Sequence, residues 1–275
     1  MKIAIQGIRG AFHEAAAKKH FGDDIEIVEC STFKNLCETL KKGNADRALM
    51  AIENTIAGSI LGNYALIHEY GFHVIGEVYL NIRMNLMTLP GVALSDIQVV
   101  ESHPIALQQC QEYIHQNLTA TCKESNDTAE SARDLASSGD RTKAIIASKI
   151  CAELYDLEIK EEGIETHKQN FTRFLALGRE DDKSLDNNKA SLRLQLGHEV
   201  GSLADVLVAF KQNEVNLTKI QSIPILGTPY EYYFHIDVEW ADYSSYQSAL
   251  TEVGTRSHSL SLLGEYRKST FELNQ

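Results

Sequence analysis

The sequence has little of what favours a nucleic-acid or membrane partner. It contains 26 lysine and arginine residues against 38 aspartate and glutamate residues, for a formal net charge of -12. A chain this acidic has no general attraction for nucleic acid or for an anionic membrane. No stretch approaches the roughly 18 consecutive apolar residues that predict a membrane helix. An anionic ligand would therefore need a local site of its own.

Cysteine and histidine also lack the spacing that disulfide or metal sites require. The five cysteines are odd in number and contain no CxxC pair, which favours free thiols in a reducing cytoplasm. The ten histidines show no HExxH or other paired-ligand spacing. The chain starts directly on a strand and not on a signal peptide. We therefore expect a cytoplasmic protein that needs no metal.

Apolar periodicity predicts strands that alternate with helices over the first two thirds of the chain. Such alternation favours an α/β fold with a mainly parallel sheet and helices on both faces. A β-rich stretch at residues 73–89 predicts a crossing into a second lobe. We expect residues 1–178 to form a bilobed domain, like a periplasmic solute-binding protein. Its lobes would be 1–76 plus 157–178, and 77–156.

The pattern changes after a polar, charged stretch at residues 179–189, which reads as a linker. Beyond it, residues 190–275 show two helical patterns among four strands, in the order βαββαβ. The strongest strand alternates Tyr232, Phe234 and Ile236 with polar residues. This order predicts a ferredoxin-like domain at the C-terminal end.

One polar and aromatic stretch stands out, Asn170-Phe171-Thr172-Arg173-Phe174. It follows a polar run and leads into a strand predicted at residues 174–177. Polar groups at the edge of a buried strand suit chemistry on a small anion. The alternative is an ordinary strand start, in which Thr172 favours β structure and Arg173 forms a surface ion pair.

A second polar cluster follows the third predicted strand and consists of Glu53, Asn54 and Thr55. In α/β sheets, ligands bind at the carboxyl ends of parallel strands. Asn54 and Thr55 can bond a carboxylate or hydroxyl, and Glu53 can act as an acid or base or hold an arginine. A helix-capping turn is the alternative. Further along, Thr128 follows Asp127 at a predicted helix start, as part of the cap or as a ligand contact.

These stretches together resemble the prephenate dehydratase family, and the resemblance covers essentially the whole chain. Residues 170–174 match the family's threonine-arginine-phenylalanine motif, and residues 52–55 with Gly58-Ser59 resemble its proline-isoleucine-glutamate-asparagine-serine motif. Residues 102–110 and 127–129 look like two further blocks. Ala51 stands in place of the proline, and Thr55 in place of the serine. His13 stands where the family usually has serine or threonine.

The resemblance implies a cytoplasmic lyase that converts prephenate into phenylpyruvate, water and CO2 in phenylalanine biosynthesis, without a cofactor. Thr172 is the implied catalytic group. The expected substrate-binding residues surround it in the first domain: Glu53, Asn54, Thr55, Thr128, Asn170, Arg173 and Phe174. Neighbours on a strand point to opposite faces, so if Thr172 faces the site, Asn170 and Phe174 share its face and Arg173 is structural.

The resemblance also implies that the C-terminal domain is an ACT regulatory domain, which binds phenylalanine between paired copies in a homodimer or homotetramer. The expected effector-binding residues come from two of its motifs: Gly201, Ser202, Leu203, Asn216, Leu217, Gln221 and Ser222. Gln221 and Ile223 stand where the family's glutamate-serine-arginine-proline signature has its two charged groups.

Three alternatives remain open from the sequence. An arogenate dehydratase differs only in an amine on the substrate side chain, and an acidic residue near that side chain would favour it. A small-molecule sensor would use the same bilobed fold without chemistry. A nucleic-acid regulator with an ACT domain is disfavoured by the acidic charge and by the lack of a basic recognition helix.

Overall fold

A computed structural model describes residues 1–182, 184, 186–197, 199–225 and 227–270. Positions 183 and 185 of the predicted linker, and positions 198, 226 and 271–275 of the predicted C-terminal domain, lie outside the described residues. Contacts between Cα atoms group the chain into two compact units, residues 1–60 with 78–174 and residues 61–77 with 175–275. The predicted domain limits stay predictions.

The first unit begins with strands and helices that alternate as predicted. In chain order they are β1 (Lys2–Gln6), α1 (Phe12–Phe21), β2 (Glu26–Cys30), α2 (Phe33–Lys41), β3 (Arg47–Asn54) and β4 (Gly58–Ser59). β1 pairs in parallel with β2 and β3, whereas the short β4 turns back antiparallel onto β3. Ile5 and Leu49 are fully buried, as expected for parallel strands that are covered on both faces.

A second sheet follows the crossing segments α3 (Leu61–Tyr70) and β5 (His73–Asn81). Its strands and helices are β6 (Asn85–Thr88), β7 (Val99–Ser102), α4 (Pro104–Gln109), α5 (Gln111–Asn117), β8 (Thr121–Glu124), α6 (Thr128–Ser138), β9 (Lys143–Ala147), α7 (Lys149–Tyr155) and β10 (Glu158–Glu161). The strand order is β10-β6-β9-β7-β8. β7 runs parallel to β8 and β9, whereas β6 pairs antiparallel with both of its neighbours, β9 and β10.

The chain then returns to the first sheet as β11 (Phe171–Gly178), which gives the strand order β2-β1-β3-β11-β5. The predicted strand begins at Phe174, so this prediction was wrong by three residues. The cause is pairing with distant segments. Thr55 N donates to Phe171 O at 2.9 Å, and Ile82 N donates to Asn170 O at 2.7 Å. The polar stretch therefore lies inside a strand and not in a loop.

The C-terminal part of the second unit has the predicted βαββαβ order. Its elements are β12 (Lys189–Gln195), α8 (Ser202–Gln212), β13 (Asn216–Pro224), β14 (Tyr232–Glu239), α9 (Tyr243–Thr255) and β15 (Ser259–Tyr266). The sheet order is β13-β14-β12-β15, and all its pairs are antiparallel. Both central strands, β14 and β12, are buried against α8 and α9 through residues such as Leu192, Phe210 and Ile236. The ferredoxin-like fold is confirmed.

The described part of the chain holds neither a membrane-spanning helix nor a metal-binding cluster. Among the residues that the structure describes, no helix is both long and apolar enough to cross a membrane. In the same residues, no three histidine, cysteine, aspartate or glutamate side chains are grouped so that they could hold a metal ion.

Candidate active site

The first unit encloses a cavity of about 480 Å³ where β3 and β11 meet the helix starts of both sheets. Apolar side chains such as Phe12, Ile82, Met84, Ile105 and Phe174 form much of its wall. Its polar groups come from seven segments of the unit: Gln6, His13, Asn54, Ser59, His103, Gln109, Asp127, Thr128 and Thr172. A concave, mostly apolar site with a few convergent polar groups is typical of a small-molecule site.

Strand alternation decides which residues of β11 reach this cavity. Thr172 and Phe174, two residues apart, share a face and line the cavity, as the period of two requires. Arg173 points the other way and is 2% exposed. Its Nη1 lies 3.3 Å from Glu53 Oε1, and its guanidinium lies 5.9 Å from the centre of the Tyr79 ring. The structure thus places Arg173 and Glu53 outside the cavity lining, in an ion pair behind β11.

Asn54 is the residue that ties the end of β3 to the polar stretch of β11. Its Oδ1 accepts hydrogen bonds from the backbone N–H groups of Ile56 and Ala57, at 2.9 and 2.8 Å. These two bonds fix the orientation of the amide, so that Nδ2 faces β11. Nδ2 lies 2.7 Å from Asn170 Oδ1, 3.0 Å from Thr172 Oγ1 and 3.2 Å from Phe171 O.

The Thr172 hydroxyl is therefore held as an acceptor from an amide. A hydroxyl has one proton to donate and two lone pairs with which to accept. Because Asn54 Nδ2 occupies one lone pair, the proton of Thr172 can be directed to a group in the cavity. Thr172 is half-buried, so such a group would meet it at the edge of a water-poor space.

Asn170 extends this hydrogen-bonded chain to the second sheet. It is fully buried, and its Nδ2 donates to Gln109 Oε1 at 2.8 Å. Gln109 ends α4 and itself lines the cavity. The connected amides of Gln109, Asn170 and Asn54 thus hold Thr172 from behind. Asn170 supports the cavity without being among its lining residues.

Thr55 is used for the backbone of β11. Its Oγ1 donates to Gln169 O at 3.1 Å and accepts from Phe171 N at 3.0 Å. It does not appear among the lining residues of the cavity. Of the predicted substrate-binding residues, the cavity brings together Asn54, Thr128 and Phe174, while the other four are not among its lining residues.

The start of α6 brings a carboxylate to the cavity. Asp127 caps this helix, and its Oδ1 accepts from Ala129 N at 2.7 Å and from Glu130 N at 3.1 Å. Burial raises the pKa of Asp127, although the two backbone hydrogen bonds oppose that rise. Asp127 and its neighbour Thr128 both line the cavity. The capping-box spacing pointed to Asp127 as a cap but gave no sign that it faces a ligand.

His13 is a lining residue that is not among the sequence predictions. Gly10, whose φ of 92° favours glycine, ends a turn that leads into α1 and carries His13 to the cavity. Burial lowers the pKa of His13 to about 4, so the imidazole is neutral at pH 7. His103, the cap of α4, and Gln109 also line the cavity and were quoted only as part of a motif. The sequence signals for His13 were its place after a glycine turn and its position where the family usually has serine or threonine.

The seven predicted effector residues lie in the second unit, and four of them line two hollows. Ser202 and Leu203 line one of about 330 Å³ beside Tyr230 and Phe234. The predicted residues Asn216 and Leu217 line another, of about 450 Å³. Gly201 precedes α8 as its cap, whereas Gln221 and Ser222 lie on opposite faces of β13, the first half-buried and the second exposed. Effector binding by this set stays a prediction.

Comparisons with known proteins decide between an enzyme, a small-molecule sensor and a nucleic-acid regulator. The family model described as prephenate dehydratase matches residues 3–182. The chain belongs to the prephenate dehydratase family. It is therefore an enzyme, a carbon–oxygen lyase of aromatic amino acid biosynthesis, and the prediction of this class is confirmed.

Relatives from plants and bacteria cover nearly the whole chain. Arogenate dehydratase 3 of Arabidopsis thaliana is 35% identical over 97% of this chain and 67% of its own length. A bifunctional chorismate mutase/prephenate dehydratase of Enterobacter agglomerans is 32% identical over 96% of this chain and 70% of its own length. Family members with both substrate names are thus similar to this chain, which leaves the choice of substrate to the site.

Two solved structures share the fold over nearly the full length. A prephenate dehydratase of Arthrobacter aurescens, in complex with L-Phe, has a TM-score of 0.87 at 27% identity and covers 97% of this chain and 90% of that one. GqqA, described as a novel type of quorum quenching acylase, has a TM-score of 0.88 at 27% identity and covers 98% of both chains. The prediction that this chain has the fold of the prephenate dehydratases is confirmed.

Proposed function

We propose that the chain converts prephenate into phenylpyruvate, CO2 and water in the cavity of the first unit, with the Thr172 hydroxyl directed at the leaving ring hydroxyl. The observation that carries this assignment is the bond from Asn54 Nδ2 to Thr172 Oγ1, at 3.0 Å. It occupies an acceptor site of the hydroxyl and leaves the proton of Thr172 for the substrate.

The main requirement of this reaction is a proton donor near the departing oxygen. The bond between the ring carbon and its carboxylate breaks, and its electron pair enters the ring as CO2 leaves. The carbon–oxygen bond to the ring hydroxyl breaks at the other end, and the departing oxygen takes a proton to become water. Aromatisation drives both steps. A donor near the departing oxygen is worth roughly 10²–10⁴-fold in rate. Thr172 fills that role by hydrogen bonding and proton relay, because a threonine hydroxyl is a poor acid.

Helix ends supply the attraction for the substrate's carboxylates. No lysine or arginine is among the described residues that line the cavity. Instead, the first residues of α1 line it, and α1 has no side-chain cap, whereas the amides of Ala129 and Glu130 at the start of α6 already bond Asp127. Amides at a helix start favour an anion, and Thr128 adds a hydroxyl beside them. An apolar wall around the ring carboxylate favours its loss as neutral CO2.

Arogenate is the second candidate substrate, and Asp127 is the observation in its favour. This carboxylate lines the cavity, where it can pair with the ammonium group that arogenate carries in place of the keto group. The family model that matches residues 3–182 is described as prephenate dehydratase. We therefore place prephenate first.

We do not propose the acylase activity that is named for GqqA. Acyl transfer by a threonine hydroxyl needs an adjacent base that removes its proton. At Thr172, the side-chain bond within the described residues comes from the amide of Asn54, which donates a proton and cannot take one. The geometry suits a hydroxyl that donates to a leaving group.

We further propose that the ferredoxin-like part is an ACT domain that binds phenylalanine and lowers turnover, in a cytoplasmic homo-oligomer. The L-Phe complex of the Arthrobacter aurescens relative supports this assignment. The hollow beside Ser202 and Leu203 has aromatic walls in Tyr230 and Phe234, which suit an aromatic side chain. Homo-oligomer formation is supported by the edge position of β13 in its sheet, because unpaired edges favour association.

Side-by-side turnover of prephenate and arogenate tests the proposed function. We expect purified protein to form phenylpyruvate from prephenate faster than phenylalanine from arogenate, and added phenylalanine to slow the reaction. Faster turnover of arogenate would move the function to the second candidate. Turnover of neither compound would refute the assignment of the cavity as a dehydratase site.

A further inference from the structure

The imidazole of His13 is held rigidly at the cavity wall by two aromatic rings from distant parts of the chain. Its ring centre lies 5.0 Å from that of Phe174, edge-on at 83°, and 5.7 Å from that of Phe33. Phe174 belongs to β11 and Phe33 begins α2. Edge-to-face contacts of this kind favour one ring orientation, so the nitrogen atoms of His13 have a defined direction.

One of those nitrogen atoms has nothing to bind. Nε2 of His13 is buried and has no hydrogen-bond partner among the described residues. Most buried polar side-chain atoms in folded proteins do have a partner, and an exception calls for an explanation. Because His13 lines the cavity, a bound molecule can provide the missing partner.

The charge state of His13 limits what that partner can be. Burial keeps the imidazole neutral at pH 7, since it lowers the pKa to about 4. The other titratable groups of the cavity are Asp127 and His103. The neighbouring Glu14 is turned away, towards Gly10 N and Lys18. A neutral imidazole with its proton on Nε2 is a donor for an oxygen atom and does not need a second charge.

The position of His13 along β11 selects the end of the substrate. Thr172 and Phe174 are two residues apart on one face, which separates them by roughly 6–7 Å along a strand. The imidazole of His13 lies against the ring of Phe174. If Thr172 faces the ring hydroxyl, His13 is placed one ring length away, where the side chain of the substrate begins.

We propose that His13 is a specificity-determining residue whose Nε2–H donates a hydrogen bond to the keto oxygen of the substrate's 2-oxo acid side chain. The inference rests on the proposed function, because it uses Thr172 to orient the ring. It explains how the site distinguishes a keto oxygen, which accepts this bond, from an ammonium group, which cannot.

The test combines binding and turnover in the full-length protein. The variant His13→Leu removes the donor, and His13→Gln keeps an amide donor at a similar reach. Phenylpyruvate serves as the probe for calorimetric binding, since it carries the 2-oxo acid side chain and is not turned over. A hydrogen bond between neutral groups corresponds to roughly a 2- to 10-fold change in affinity. We expect His13→Leu to weaken phenylpyruvate binding by that factor and to raise KM for prephenate more than it lowers kcat.

Each result separates the two assignments. The glutamine variant should restore most of the affinity, whereas arogenate kinetics should change little in either variant. Equal phenylpyruvate affinity in wild type and in both variants would overturn the role of His13, and prephenate turnover by the wild type would still support the proposed function. Binding that depends on His13 in a protein without prephenate turnover would support the ligand contact and refute the dehydratase assignment.

Discussion

Replacing Asn54 by aspartate tests the hydrogen-bonded arrangement behind Thr172. The new side chain keeps an oxygen for the N–H groups of Ile56 and Ala57, at 2.9 and 2.8 Å in the wild type. It loses the donor that faces Asn170 Oδ1 at 2.7 Å and Thr172 Oγ1 at 3.0 Å. A carboxylate oxygen takes the place of that donor, and the Thr172 proton turns towards it and away from the substrate.

Two magnitudes follow for this variant. Loss of the oriented donor should lower kcat by roughly 10²-fold, the lower end of what general acid assistance contributes, with a smaller change in KM. The oxygen that now faces Asn170 Oδ1 leaves a buried acceptor without its donor, at a cost of about 1–3 kcal/mol in stability. The fold should survive, because the turn at residues 54–57 keeps its cap.

Steady-state kinetics with prephenate and a thermal melt measure both effects. The exposed Asn117 on α5 offers a matched control, since Asn117→Asp adds the same charge to the same unit at a surface site. We expect the control to retain wild-type kcat and thermal stability. A folded Asn54→Asp protein with kcat within twofold of the wild type would refute the idea that this amide directs the Thr172 proton.

Three further changes should act in separate ways. Arg173→Met removes the ion-pair partner of Glu53, whose side chain is 28% exposed. It should lower the free energy of unfolding by about 2 kcal/mol and change kcat far less than a loss of Thr172 does. An unchanged melting temperature would contradict the structural role of Arg173. Asp127→Asn should raise the melting temperature at pH 7, because burial raises the pKa of Asp127 and penalises its charged form. The gain in melting temperature should fade as the pH falls towards 3.8, where the wild-type carboxyl becomes protonated. A gain that grows on acidification would contradict the raised pKa. Leu203→Glu should abolish inhibition by phenylalanine in the full-length protein and leave kcat intact, whereas the exposed control Val208→Glu should stay inhibited.

Periodicity predicted most elements of the fold because it reports burial along one segment at a time. The pattern predicts a strand at residues 143–147 and a helix at residues 149–155, which are the bounds of β9 and α7, and the βαββαβ order was predicted in full. The start of β11 was missed because it depends on bonds from Thr55 and Ile82, which lie far away in the sequence. Local pattern carries no information about such pairing.

The candidate site was predictable to a similar degree. Strand alternation correctly predicted that Thr172 and Arg173 lie on opposite faces of β11. The cavity contact of Asn54 also followed from its place at the end of β3. His13 was missed because its burial comes from Phe33 and Phe174, and nothing near His13 in the sequence indicates that these rings enclose it.

The most direct test of the central claim compares Thr172→Ala and Thr172→Ser in the rate of phenylpyruvate formation from prephenate. Serine keeps the hydroxyl that accepts from Asn54 Nδ2, while alanine removes it. We expect the serine variant to retain kcat within about tenfold of the wild type and the alanine variant to lose roughly 10²–10⁴-fold, with both proteins folded. Near-normal turnover by Thr172→Ala would contradict the assignment of this hydroxyl to the leaving group.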